Sequence, residues 1–258
     1  MKRVALLVLL AACSDTKPAT PPAALPTPPP GKPAATVIPA TTKLLVTGIV
    51  DDWTATNATL RVWRRDGAAW KPIGEAWPAV VGRTGTAWGI GLHGSPNREG
   101  PIKREGDGKS PAGVFAIDAA FGVADDPPKG AKLHYESTAR GDWQCVDDPA
   151  SDHYAQIVDR KQVPSDWHSH EEMLRNDSLY TWVIDVAHNP EHVAGKGSCI
   201  FLHVWGGKDT TTVGCTAMEE PRLASLLAQL DPADHPLYVL LPRAEYTALA
   251  STWGLPPL

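Results

Sequence analysis

Proline is distributed very unevenly along the chain, and this limits which part of it can fold. Of the 25 prolines, nine fall between Pro18 and Pro39. The surrounding segment, Thr16 to Thr42, is mostly Pro, Ala, Thr and Lys, so it cannot bury enough apolar surface to offset the entropy lost on ordering. Because its prolines favour extended polyproline II structure, we expect a semi-rigid tether rather than a packed domain.

The chain as a whole has the composition of a globular protein. Its 258 residues are 43% hydrophobic and 21% charged, which is ordinary for a folded domain, so disorder throughout is excluded. The formal net charge of −5 argues against a nucleic-acid partner bound through phosphate contacts. Four cysteines are too few for a disulfide-rich scaffold of this length, so each needs its own explanation.

The N-terminus has the features of a bacterial export signal. An unbroken apolar run from Val4 to Ala12 follows two basic residues; it is too short to span a bilayer but fits a secretory signal. Small residues directly before Cys13 resemble the lipobox, where the signal is cut and the thiol is lipidated. We expect a signal peptide over 1–12 and a lipidated cysteine with its tether over 13–42. An ordinary signal peptide with an incidental cysteine is the alternative.

The residue after Cys13 bears on location. It is Ser14 rather than aspartate, which resembles outer-membrane sorting in bacteria with two membranes. We therefore expect a protein of the cell envelope, on the periplasmic side, anchored to the outer membrane through the N-terminal lipid.

Residues 43–258 predict one domain that is mainly β with a few helices, a β-rich α+β fold. Asp66-Gly67 predicts a hairpin turn, Pro72 favours an edge strand, and leucines at helical spacing after Pro221 predict a helix. A second, short helix is expected at 166–174. Glycine-broken strands indicate a mainly antiparallel assembly, with candidates at 43–50, 58–65, 69–73, 80–83, 88–92, 180–186, 199–204 and 236–241.

The segment that ends at Met218 contains the strongest candidates for catalytic residues. His203 lies near the end of a predicted strand, and Cys215 follows twelve residues later, just before the predicted helix. A helix N-terminus shifts a thiol towards thiolate, an imidazole can accept its proton, and the amides of Gly214 and Cys215 can form an oxyanion hole. A buried strand histidine and an inert core thiol are the alternative.

Several ordered pieces of the chain resemble the L,D-transpeptidase (YkuD) catalytic domain family. His203, a glycine-containing loop and Thr212-Val213-Gly214-Cys215 are similar to its catalytic segment. Residues 103–115, KREGDGKSPAGVF, resemble the T/S-P-x-G-x-F stretch of the family, preceded by the K-R-E-G-D-G of one branch. That branch is also similar at WQCVDDPASDHY (143–154) and at His188-Asn189, so the resemblance extends from about Val80 to the C-terminus.

The resemblance implies an L,D-transpeptidase-like β-sandwich and a monomeric cysteine acyltransferase acting on peptidoglycan stem peptides, without cofactor or metal. His203 would deprotonate Cys215, whose thiolate attacks the carbonyl before a terminal D-residue. The D-residue leaves, the amides of Gly214 and Cys215 hold the oxyanion, and an amine or water attacks the thioester.

The chain departs from the commoner branch of the family beside the cysteine. Val213 stands where that branch has histidine, and Ala217 stands where it has the arginine after the cysteine. Another group must therefore contact substrate carboxylates. The candidates for substrate binding are Thr212, Arg83, Arg104 or Lys103, and Asn189, although His188-Asn189 also suits a structural turn before Pro190.

The remaining cysteines and histidines leave alternatives open. In an oxidising compartment Cys145 and Cys199 form either a disulfide or two buried thiols. Cys145 with His153 is a second candidate nucleophile, but it lacks the Gly-Cys turn. The pair at His168 and His170 has no adequate third metal ligand, which favours a solvated surface.

Two other functions fit the same residues. One is an L,D-carboxypeptidase or endopeptidase that hydrolyses the same bonds with water as acceptor. The other is a non-catalytic wall-binding lipoprotein, against which the intact His203 and Cys215 pair argues.

Overall fold

The computed structural model describes residues 36–94 and 98–258, and an eleven-stranded sheet dominates it. The signal peptide expected over 1–12, the lipidation expected at Cys13 and the tether as far as residue 35 lie outside the described residues. The helices are α1 (Glu220–Gln229) and α2 (Arg243–Trp253), with short 3₁₀ turns at Thr138–Arg140, Ser178–Tyr180 and Pro232–Asp234.

The strands are, in chain order, β1 (Leu44–Val50), β2 (Asn57–Asp66), β3 (Ala69–Val80), β4 (Thr86–Trp88), β5 (Ser110–Ala116), β6 (Ala119–Gly122), β7 (His134–Ser137), β8 (Trp143–Val146), β9 (Ile157–Asp159), β10 (His170–Glu172), β11 (Val183–Asp185), β12 (Phe201–Val204), β13 (Thr216–Met218) and β14 (Leu237–Pro242).

The large sheet has the order β4-β5-β14-β1-β2-β3-β13-β12-β11-β6-β7, and a small sheet has the order β10-β8-β9. The expectation of a β-rich α+β fold is confirmed, but the sheet is mixed rather than mainly antiparallel. The pairs β1/β14, β12/β13, β4/β5 and β6/β7 are parallel. Several of these paired strands are joined by long connections. Parallel pairing requires them, because the chain must return to the end of the sheet at which the first strand began.

The large sheet curls around its main core, which gives the domain its sandwich-like character. Phe115 of β5 and Ala120 of β6 stand near opposite ends of the strand order, yet both pack in one buried cluster. Three leucines of α1 complete that cluster, and they occur at the spacing that predicted the helix: Leu223, Leu226 and Leu227.

A second core lies between the sheet and α2, a helix that the sequence pattern did not predict. Tyr246 and Trp253 of α2 pack there with Trp88 and Val239. Ile38 belongs to the same cluster, with only 1% of its surface exposed, and its N–H donates to the carbonyl of Trp253 at 3.0 Å. The packed structure therefore begins several residues before Lys43.

The prediction of a helix at 166–174 is wrong. The segment instead forms β10, which pairs with β8 so that Glu171 lies opposite Cys145. This pairing is between residues far apart in sequence, and it overrides the local preference for a helix.

Pro72 fits its expected edge position, because β13 contacts β3 only at Val80 and leaves the rest of that side of β3 unpaired within the described residues. Within 36–94 and 98–258, no helix is long and apolar enough to cross a membrane.

Replacement of Leu240 tests the main core. Its side chain is fully buried in that cluster, so Leu240→Ala should lower the free energy of unfolding by about 2–5 kcal/mol through lost burial and the cavity left behind. Leu92, which is 50% exposed, is the matched control, and Leu92→Ala should change it by under about 0.5 kcal/mol. Urea unfolding measures both, and equal effects would contradict this core assignment.

Candidate active site

His203 and Cys215 meet through the parallel pairing of β12 with β13. His203 lies opposite Ala217 in this register, and Cys215 immediately precedes β13. The loop between them leaves the sheet and returns beside it, as a parallel connection must. Both side chains line one open cavity of about 320 Å³, together with Arg83, Tyr180 and ten other residues. The structure therefore places both predicted residues on one cavity.

The Cys215 thiol is buried, with 4% of the residue exposed, and is the only free cysteine among the described residues. Its Sγ accepts from the backbone N–H of Phe201 at 3.3 Å and donates to the carbonyl of Cys199 at 3.5 Å. Burial, and secondarily the charge of Glu171, raise the pKa of the thiol. The resting group is thus a protonated thiol.

This corrects the expectation that a helix N-terminus activates the cysteine. The strand β13 follows Cys215 directly, and α1 begins only at Glu220. Because the dipole of a helix acts mainly within its first turn, it does not offset the cost of burying a thiolate here. Activation must come from a neighbouring base.

His203 is held as a neutral base. The backbone carbonyl of Val204 lies 2.7 Å from Nδ1. Because a carbonyl can only accept, this contact favours the tautomer with the proton on Nδ1 and the lone pair on Nε2. The ring packs edge-on against Tyr180, with 5.2 Å between the centroids. Burial lowers the pKa of His203 to about 4, so the imidazole is neutral over most of the pH range.

The Thr212–Cys215 turn is fixed by two hydroxyl groups. The hydroxyls of Thr212 and Ser110 both donate to the carbonyl of Cys215, at 2.6 and 2.7 Å. Gly214 has a φ of +157°, and a Cβ there would lie 3.2 Å from the carbonyl oxygen of Lys109, so the turn requires glycine. Ser110 lies in the motif that carried the resemblance, but no role for it was predicted.

The amides of this turn differ from the expected oxyanion hole. The N–H of Gly214 donates to the hydroxyl of Thr212 at 3.1 Å, so it is already engaged. The N–H of Cys215 has no partner among the described residues. Thr212, expected to bind substrate, lines the cavity while its hydroxyl organises the turn.

The structure separates the expected cationic side chains. Arg83 lines the cavity with an exposed guanidinium, and its backbone N–H donates to Thr212 at 2.8 Å. Lys103 is 4% exposed and forms a 2.6 Å ion pair with Asp107. Arg104 lines none of the cavities that include Cys215.

Arg175 is a cation of the site that the sequence analysis did not predict. It also lines the main cavity, and its guanidinium forms an ion pair with Asp177 at 2.7 Å.

Asn189 is not brought to the cysteine. It is fully buried, with a φ of +54°, and its side-chain amide donates to the carbonyls of Val193 and Gly197 at 3.0 and 3.2 Å. Left-handed backbone at asparagine is characteristic of tight turns. The residue therefore organises the loop after β11, as the structural alternative had it.

Cys145 and Cys199 form a disulfide with 5.8 Å between their Cα atoms. This pairing removes Cys145 as a nucleophile, and His153 packs on Trp167 with 5.6 Å between centroids. Cys199 has a φ of +54°, which is uncommon for a residue with a side chain. This conformation is incompatible with a β-strand, and β12 begins two residues later. The carbonyl of Cys199 is the one that accepts from Cys215.

A second cavity, of about 240 Å³, reaches the thiol from the other side of the turn. It shares four residues with the main cavity, namely Arg83, Glu171, Val213 and Cys215. Glu171 and Tyr180 are site residues that the sequence pattern did not indicate, because one lies in the segment predicted as a helix and the other within a predicted strand.

Comparison with known families gives one match. The YkuD model, described as the L,D-transpeptidase catalytic domain, matches residues 47–239, which include both strands of the site and the turn between them. No curated protein and no solved structure matches the chain. The matched range spans most of the described domain, and the chain therefore belongs to the YkuD family of L,D-transpeptidase catalytic domains, which act on peptidoglycan.

Proposed function

We propose that the protein transfers acyl groups of peptidoglycan stem peptides through a thioester on Cys215, in L,D-transpeptidation. The observation that carries this proposal is the cavity that Cys215 and His203 both line, where Nδ1 of His203 lies 2.7 Å from the carbonyl of Val204. A thiol with a neutral imidazole at its side is the arrangement that base-assisted nucleophilic catalysis requires.

The first half-reaction forms the thioester. Nε2 of His203 takes the proton of Cys215 while Sγ attacks the carbonyl carbon that precedes a terminal D-residue. The free N–H of Cys215 donates to the oxyanion. The C–N bond then breaks, and the amine of the D-residue takes the proton from His203 as it leaves. Because burial disfavours a free thiolate, proton transfer accompanies attack.

Arg83 is the group we propose for the substrate carboxylate. Its guanidinium is exposed and lines both cavities at Cys215, and a guanidinium binds a carboxylate through two parallel hydrogen bonds. It takes the place of the family arginine, where this chain has Ala217.

The proposed location is the periplasmic side of the cell envelope, with an outer-membrane lipid anchor at Cys13. The disulfide between Cys145 and Cys199 supports an oxidising compartment. A tether between anchor and domain would give the enzyme reach towards a polymeric substrate, and we propose that it acts as a monomer.

Replacement of the thiol tests the proposed chemistry. Cys215→Ala should abolish the mass increase that a carbapenem or a donor tetrapeptide produces on the intact protein, because no other described cysteine is free. His203→Gln should slow acylation by about 10²–10⁴-fold through loss of the base. An adduct of wild-type yield on Cys215→Ala would refute the assignment. Muropeptide products of the wild-type enzyme then separate cross-linking from hydrolysis.

The pH dependence of acylation follows from His203. Because burial lowers the pKa of this histidine from 6.5 to about 4, the imidazole stays neutral and able to accept a proton as pH falls through 6.5. The rate constant for acylation should therefore stay level down to about pH 4 and fall below it. Stopped-flow acylation at saturating carbapenem measures the profile, and a midpoint near 6.5 would contradict the buried neutral base.

Lipidation is tested with a clickable fatty acid in the living bacterium. Cys13→Ala should lose the label and leave the outer-membrane fraction, because the modified thiol is removed. Ser14→Asp is the matched control, which should keep the label and move the protein to the inner membrane. Labelling of Cys13→Ala at the wild-type level would disprove the anchor.

A further inference from the structure

One carboxylate stands between the two cavities that meet at Cys215. Glu171 lines the main cavity, which contains His203, and also the smaller one, which does not. Of the four residues shared by the two cavities, it is the only acidic one. A carboxylate in this position can contact a ligand in either cavity.

Glu171 is oriented by a hydrogen bond from Tyr180. The hydroxyl of Tyr180 donates to its Oε1, and the guanidinium of Arg175 lies 5.0 Å above the tyrosine ring. Arg175 itself is bound to Asp177. No lysine or arginine in the described ranges forms an ion pair with Glu171. Arg175 is close enough for its charge to lower the pKa of Glu171, although burial outweighs this effect. The partly buried carboxylate can still accept a positively charged ligand.

A strand pairing, a disulfide and a hydrogen bond connect the backbone of this carboxylate to the nucleophile. Glu171 lies opposite Cys145 in the pairing of β10 with β8. Cys145 is bonded to Cys199, and the carbonyl of Cys199 accepts from the Cys215 thiol at 3.5 Å. Strand pairing and a disulfide therefore hold the backbone on which both groups stand, which is the rigidity that a catalytic group needs.

The other acidic residues of the smaller cavity are less suited to bind a cation. Glu105 already accepts from the hydroxyls of Tyr154 and Ser198, at 2.5 and 2.7 Å. Asp147 accepts from the hydroxyl of Ser169. Neither carboxylate lines the cavity of His203, so Glu171 is the acidic side chain placed to act on a nucleophile that attacks the Cys215 thioester.

We propose that Glu171 is a catalytic base of the second half-reaction, which binds the primary ammonium group of the acceptor in the smaller cavity and takes a proton from it. This rests on the proposed thioester at Cys215. The freed amine nitrogen forms a bond to the thioester carbonyl, and the C–S bond breaks. The second proton of the attacking nitrogen passes through Nε2 of His203 to Sγ, which restores the thiol, and Glu171 releases its proton to solvent. Burial, the principal cause, raises the pKa of Glu171 and makes it a stronger base.

The test separates the two half-reactions. Glu171→Gln keeps the size of the side chain and an acceptor for Tyr180 but removes the base. Glu172→Gln, on the same strand and exposed, is the matched control. Each protein is first acylated on Cys215 with a donor tetrapeptide. Decay of the thioester is then followed by mass with a D-amino acid, whose amine is protonated at neutral pH, and with hydroxylamine, which is neutral there.

With Glu171→Gln, we expect acylation within about 3-fold of wild type and a decay rate with the D-amino acid lower by about 100-fold. The decay rate with hydroxylamine should change less than 3-fold, because this nucleophile arrives without the extra proton. Glu172→Gln should match wild type throughout. A preserved acylation rate also shows that the variant is folded.

Two results would overturn the assignment of Glu171. One is D-amino-acid transfer by Glu171→Gln at the wild-type rate. The other is an equal loss of acylation, hydroxylamine decay and amine transfer, which would make the residue structural. Failure of the wild-type protein to form any adduct on Cys215 is a different outcome, since it refutes the thioester itself.

Discussion

The position of the nucleophile depends on how one backbone carbonyl is satisfied. The carbonyl of Cys215 accepts from the hydroxyls of Ser110 and Thr212. It is buried away from water, so loss of either donor would leave it poorly paired at a cost of about 1–3 kcal/mol. Ser110 also accepts from the N–H of Gly82 at 2.9 Å. Three segments far apart in sequence are thereby joined at the turn, and the thiol is in place before any substrate arrives.

Burial also determines how the thiol behaves between reactions. A raised pKa keeps Cys215 protonated, and thiol–disulfide exchange requires the thiolate. The same low polarity that disfavours the thiolate lowers the pKa of His203 and leaves a neutral base beside it. Resting protection and readiness to react therefore have one physical origin. On the proposed mechanism, the pair becomes a nucleophile only when a substrate takes part in the proton transfer.

The sequence predicted those parts of the site that are encoded in consecutive residues. β-Branched and aromatic residues indicated β12, leucine spacing indicated α1, and the Gly-Cys motif placed Cys215 near His203. The three-residue strand β13 is too short to leave a periodic signal, and the helix-dipole argument failed because this strand separates Cys215 from α1. The two alternatives for Asn189 stayed open, because an isolated asparagine gives no sign of whether its amide faces a ligand or a loop carbonyl.

Other features could not be predicted because they arise from contacts between distant residues. Glu171 lies in a stretch with local helix character, and it becomes a site residue only because β10 pairs with β8. The engagement of Gly214 by Thr212 likewise depends on the path of the turn. Composition and spacing describe which groups a segment carries, whereas the direction in which each group points is set by its partners elsewhere in the fold.

The pairing of β1 with β14 has a consequence for when the domain can form. These parallel strands stand side by side within the large sheet, yet Leu45 pairs with Leu237 from near the other end of the chain. Such distant contacts slow folding, because the loop between them must close first. Synthesis or translocation therefore supplies this sheet with its last neighbour only when nearly all of the chain has emerged. If the proposed export route applies, the sheet stays incomplete until Leu237 is available to pair with Leu45, which would keep the preceding chain unfolded during translocation.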